Sequence, residues 1–185
     1  MDDLLTGLPP AVASDCRVLV LGSMPGAASL QAARYYAHPR NRFWPVMVAL
    51  AGVPSVASYE ERIAALQAAG IGLWDVIGEC RRAGSLDSAI VRGSERPNAI
   101  APLIASLPGL RAIAFNGATA SSLFRRHVQP LWPEASQRRV QCVALPSTSP
   151  AHAAMGLAAL CEAWRVLTPW LAGSALGDAG LRTAS

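Results

Sequence analysis

Apolar residues gather into short continuous runs along this chain, separated by stretches of helical spacing, and turn residues mark nearly every change of pattern. Arg17-Val18-Leu19-Val20-Leu21-Gly22 is the first such run, and unbroken hydrophobicity ended by a glycine predicts a strand buried on both faces. Ile71 to Val76, Arg111 to Phe115 and Arg139 to Leu145 repeat the pattern as strands two to four. Their exits are marked by Asp75, by Asn116-Gly117 and by Pro146. Helical spacing falls between them: Phe43 to Ala51, Tyr59 to Ala69 with acidic residues in its first turn, and a segment capped by Asn98 that runs through Ser106. Two more helices run from Gly117 to about Arg126 and from Ala151 to about Leu167. A short proline-containing lead precedes the first strand, and the polar stretch from Glu79 to Pro97 reads as loop. After Leu167 the Ala/Gly-rich sequence loses its packing pattern, so 1–167 is expected as a single domain and 168–185 as a partly mobile tail.

Strands alternating with helices predict an α/β fold with a central, mainly parallel four-stranded sheet covered on both faces. In such a sheet the loops leaving the carboxyl ends of the strands meet in one crevice. Chemistry is therefore expected after Gly22, around Asp75, after Phe115 and after Leu145.

Composition narrows the function. A chain of 185 residues, 52% of them hydrophobic, can bury one sizeable core but not two ordinary ones. No uninterrupted apolar run reaches the ~18 residues that suggest a membrane span, and Met1-Asp2-Asp3 is acidic where a signal peptide is basic. The expectation is a soluble, monomeric protein of a bacterial cytoplasm. Cys16, Cys80, Cys142 and Cys161 include no C-x-x-C pair, so their spacing suggests neither a metal site nor an iron–sulfur cluster, and they read as reduced thiols in or near the core. All sixteen basic residues other than histidine are arginine. That excludes lysine Schiff-base chemistry. A net charge of +4 suits a polyanionic partner without requiring one.

The densest candidate chemistry lies in Gly22-Ser23-Met24-Pro25-Gly26 and in Tyr35-Tyr36-Ala37-His38-Pro39-Arg40-Asn41-Arg42-Phe43-Trp44. Aromatic rings, cations and an amide ahead of a helix are what a pocket for an extruded nucleobase needs, because the base stacks on a ring while cations hold its phosphates. The same rings could equally staple a helix to the sheet.

The pair GSMPG and YYAHPRNRFW is similar to the first motif of the mismatch-specific uracil-DNA glycosylases, and LPSTSPA at 145–151 resembles the superfamily's second motif, a loop that enters the minor groove. The resemblance covers roughly Arg17 to Leu167 and implies the superfamily's three-layer α/β/α domain. Met24 stands where the mismatch-specific enzymes carry a catalytic Asn, and Leu145 where the main uracil enzymes carry a His. Both departures resemble the hypoxanthine (deoxyinosine) branch, in which the catalytic role is implied for Asn41. What the resemblance implies is a monofunctional DNA glycosylase, free of metal and cofactor, that acts on double-stranded or single-stranded DNA.

Asn41 also makes chemical sense, since cleaving a nucleoside C1′–N bond builds charge on the sugar and mainly requires a positioned water. A helix cap at Asn41 is the ordinary alternative. His38 could donate to the leaving purine or to phosphate. Asp75 could accept the N1–H of hypoxanthine, a donor adenine lacks, or could serve as a turn cap. Phe43 is the candidate stacking platform, and Ser23, Met24, Gly26 and Tyr36 complete the base-binding set. Arg40, Arg42, Ser147, Thr148 and Ser149 are the candidate DNA contacts. Three other readings stay open: a uracil or mismatch-specific glycosylase, a damage-binding module that does not cut, and a nucleotide-binding enzyme suggested by Gly22-x-x-x-Gly26. The last lacks the G-x-G-x-x-G pattern.

Overall fold

The structure, a computed structural model, describes residues 4–172. Its strands are β1 (Leu4–Thr6), β2 (Val18–Gly22), β3 (Ile71–Asp75), β4 (Ile77–Arg81), β5 (Arg96–Pro97), β6 (Ala112–Asn116) and β7 (Gln141–Leu145). Its helices are α1 (Ala27–Ala32), α2 (Phe43–Ala51), α3 (Tyr59–Ala68), α4 (Ile100–Ala105), α5 (Ala118–His127), α6 (Glu134–Arg139) and α7 (Leu157–Trp164).

The four expected apolar runs form one parallel sheet in the order β3-β2-β6-β7. Side chains of a strand alternate between faces, and the two cores divide accordingly. Leu19, Leu21, Ile113 and Phe115 pack on one side against Ile100 and Ile104 of α4 and Phe124 of α5. Val18, Val20, Ile71 and Leu73 pack on the other against Phe43 and Met47 of α2, Leu66 of α3 and Trp164 of α7. This is the three-layer arrangement. Every residue of β2 and β3 is buried, which explains why their sequences are continuous rather than alternating.

Helix starts follow local chemistry. Ser58 caps α3 by accepting from Glu61 N, while Glu61 accepts from Ser58 N in return. Gly117 opens α5 at φ 102, a conformation that side chains resist.

Several expectations need correction. The stretch 79–97 is not all loop: β4 pairs with β1 and β5 in a small antiparallel sheet, its polar residues half-exposed. Asn98 does not cap α4, whose N-cap is Ala99; instead its Nδ2 donates to the backbone carbonyl of Asp75. The last helix begins at Leu157, because 150–156 is a turn segment. Packing also continues past Leu167, through a 3-10 stretch Arg165–Trp170 to the buried Leu171. Residues 173–185 lie outside the described residues. All four cysteines are free; Cys16 and Cys80 are buried, but Cys142 is exposed on β7, which stands at the edge of the sheet.

Candidate active site

Parallel register places Gly22 opposite Asp75 and Asn116 opposite Leu145, so the carboxyl ends of all four strands open into one crevice. A cavity of about 630 Å³ lies there. It is lined by Gly22 to Gly26, by Tyr36, His38, Arg40 and Asn41, by Asp75 and Asn116, by 85–88, and by 147–152. Most of the expected site residues are thus brought together.

The floor is built around Asp75. Gly22 is required beside it, because a Cβ there would come within 2.3 Å of Asp75 Oδ1. The carboxyl is 5% exposed, and its Oδ2 has no hydrogen-bond partner. Burial, reinforced by the charge of Asp87 and opposed by Arg82, pushes its pKa up to about 7. Ser23 Oγ donates at 2.7 Å to both carboxylate oxygens of Asp87, which sits on a short 3-10 turn, Asp87–Ala89. Ser23 therefore lines the cavity as expected, but with its hydroxyl committed.

The wall above is aromatic. Tyr36 lies on Phe43 with ring centroids 3.8 Å apart and planes 20° apart, and its φ of 55 is rare for a tyrosine. Phe43 is fully buried beneath it and does not line the cavity, so the expected platform at Phe43 is corrected: Tyr36 lines the cavity, as does Tyr35. Burial, followed by the Asp75 charge, raises the phenol's pKa and keeps it neutral. The Asn116 amide lies near the Tyr36 hydroxyl but makes no well-formed bond to it; that amide is engaged with Thr148.

Asn41 lines the cavity just before α2. Its Oδ1 accepts from Phe43 N at 3.0 Å, so part of the capping role is realised and the amide is held in one orientation. A carbonyl oxygen has two lone pairs, which leaves capacity for a water. His38 forms the turn that presents it: Asn41 N donates to His38 O at 2.8 Å, and Arg40 N to His38 Nδ1 at 3.1 Å.

The second loop is clamped rather than free. Arg42 donates through Nη1 to Met155 O and through Nη2 to His152 O at 2.6 Å and Ser149 O at 3.3 Å, while its backbone N reaches Thr148 O. Thr148 is wholly buried. Thr148 is thus corrected to a loop-holding role, and Arg42, which stays partly exposed, holds the loop as well. Arg40, Ser147 and Ser149 remain at the cavity. Asp87, Arg82 and Asn116 were outside the expected site set. Asn116 alone carried a signal, standing at a strand exit; Asp87 and Arg82 lie in a polar stretch that shows no periodicity.

Comparison with known proteins agrees with this geometry. The model of the uracil DNA glycosylase superfamily matches residues 9–168. Two curated relatives are named hypoxanthine DNA glycosylase. The one from Methanosarcina barkeri is 36% identical over 113 residues, which is 60% of this chain and 70% of that one. The one from Methanosarcina acetivorans is 36% identical over 115 residues, 62% of this chain and 72% of that one. A solution NMR structure of a candidate uracil DNA glycosylase from Methanosarcina acetivorans superposes with a TM-score of 0.70 at 29% identity, covering 89% of this chain and 99% of that one. The fold is that of a DNA glycosylase. The chain belongs to the uracil DNA glycosylase superfamily. Both curated relatives are archaeal, and they lend no support to the bacterial source expected from the sequence. Among the described residues no helix is long and apolar enough to cross a membrane.

Proposed function

We propose that this chain excises hypoxanthine from deoxyinosine in DNA, acting as a cytoplasmic monomer and leaving an abasic site. The observation that carries the reading is Asp75, a buried carboxyl with an unpartnered oxygen on the floor of the cavity. A carboxylate there accepts the N1–H of hypoxanthine and faces the bare N1 lone pair of adenine with repulsion. The flipped base stacks on Tyr36. Arg40 and the Ser147 and Ser149 segment hold the flanking phosphates.

Asn41 orients the attacking water. As the C1′–N9 bond breaks, its electron pair leaves with the base, the water oxygen bonds to C1′, and the proton that the water loses is matched by one taken up by the departing base anion from solvent. Met24 fills the neighbouring position without polar chemistry, being almost fully buried in the core. With no lysine in the chain, no Schiff base forms on a side chain and the abasic strand is left intact.

The test is incubation with labelled duplexes that each carry one inosine, uracil, xanthine or ethenoadenine, followed by alkaline cleavage. The reading expects inosine to be cut fastest. Uracil presents the same N–H beside a carbonyl, so uracil cut as fast as inosine would favour the broader uracil-excising reading.

A further inference from the structure

Three charged groups meet beneath the first loop. Arg82 is 3% exposed, and its guanidinium donates to carbonyls, Nε to Gly84 O at 3.1 Å and Nη2 to Pro25 O. Asp75 and Asp87 line the same cavity, burial raises the cost of ionising each, and the charge of Asp87 adds to that cost at Asp75. With both carboxyls charged, one negative charge in this group is left uncompensated. The two are unequal, however. Asp87 receives the Ser23 hydroxyl on both oxygens, which favours its charged form, whereas Asp75 Oδ2 receives nothing.

We propose that Asp87 is a positioning residue for base selection: with Asp75 it holds one proton in the empty pocket, carried on Asp75, and capture of a base bearing N–H beside a carbonyl releases that proton to solvent. This rests on the reading of Asp75 as the base-reading group. The N1–H of hypoxanthine does for Asp75 what Ser23 does for Asp87, donating to the oxygen and favouring the charged form. The selectivity follows from which form is present. An ionised Asp75 accepts only and opposes adenine's N1, whereas the acid, with one donor and one acceptor, satisfies adenine's N1 and N6–H as readily as the hypoxanthine edge.

The other groups near Asp75 do not supply the proton's counterpart. The Tyr35 and Tyr36 phenols are both pushed upward by burial and stay neutral. Asn98 engages the backbone carbonyl of Asp75 rather than its carboxyl. His38, Arg40 and His152 line the cavity without a hydrogen bond to Asp75.

The preference for inosine over adenine, read from single-turnover excision across the neutral pH range with enzyme below saturation, is expected to rise with pH through about 7, following Asp75. Asp87→Asn removes the like charge and moves the inflection to lower pH by about one unit. Ser23→Ala moves it the same way, since the proton then passes more readily to Asp87, and it provides a second test if Asp87→Asn folds poorly. Carbon-13 titration of the Asp75 carboxyl in free protein reads the same shift without any catalysis. Asp75→Asn, assayed on inosine against adenine, tests the reading beneath. If Asp75→Asn leaves that preference unchanged, the base-reading role itself fails. If Asp75→Asn alters it while Asp87→Asn and Ser23→Ala leave both inflection and carboxyl titration in place, the shared proton alone is overturned. A preference for inosine over adenine that falls as pH rises through neutrality also overturns it.

Discussion

Asn116 holds Thr148 at both of its polar groups: its Oδ1 accepts from Thr148 N and its Nδ2 donates to Thr148 Oγ1, each at 2.9 Å. One side chain at the end of β6 thus fixes the second motif loop at a buried point. Asn116→Ala leaves the Thr148 N–H and hydroxyl without these partners, at about 1–3 kcal/mol for each buried group. The expected result is a clear drop in melting temperature with a weakened excision rate. Wild-type melting would show that the pair is not needed to hold the loop.

Gly22 and Asp75 predict a more selective defect. Gly22 carries no positive φ, so alanine fits the backbone there, but its methyl would displace the Asp75 carboxyl. Gly22→Ala is expected to fold and to lose its preference for inosine by at least about tenfold, roughly 1.4 kcal/mol of discrimination. Parallel assays on inosine against adenine in matched duplexes check this, and an unchanged ratio would remove Asp75 from the base site.

The parallel sheet and the crevice could be read from the sequence because their signal is local. A continuous apolar run such as Val18 to Leu21 is both the cause of double-sided burial and its visible mark, and Asp75, Asn116 and Pro146 each interrupt such a run where the chain leaves the sheet. The small sheet was hidden because β4 is half-exposed and its partners β1 and β5 are only three and two residues long. Phe43 looked like a platform because sequence does not say which of two neighbouring rings faces the cavity. Asp87 was hidden for a different reason: its bond to Ser23 spans 64 residues, and no periodicity records it.

Stability should depend on pH through Asp75. Its pKa rises from 3.8 to about 7 on folding, so across that interval the native state keeps a proton that the unfolded chain has lost. The contribution is full below 3.8 and is lost as pH rises through about 7. Asp75→Asn is expected to flatten this part of the melting profile and to be the more stable protein above neutrality. Parallel profiles for parent and variant would contradict the buried, unpartnered carboxyl.

Asn41→Ala separates binding from chemistry. A water-orienting amide acts as charge develops on the sugar, whereas Arg40 and the loop serines act in the ground state. Single-turnover excision is expected to fall at least about a hundredfold with little change in DNA affinity. The lost bond to Phe43 N lowers stability by about 1 kcal/mol, so melting is recorded alongside. If the folded variant cuts at the parental rate, the role passes to His38.

The most direct measurement is the identity of the base set free. A duplex carrying one inosine and one uracil on the same strand is incubated with excess protein, and the released bases are resolved by mass spectrometry. The account predicts that free hypoxanthine appears first and in excess, with the strand left abasic at the inosine position. Release of uracil at an equal or greater rate, or binding with no base released, would contradict it.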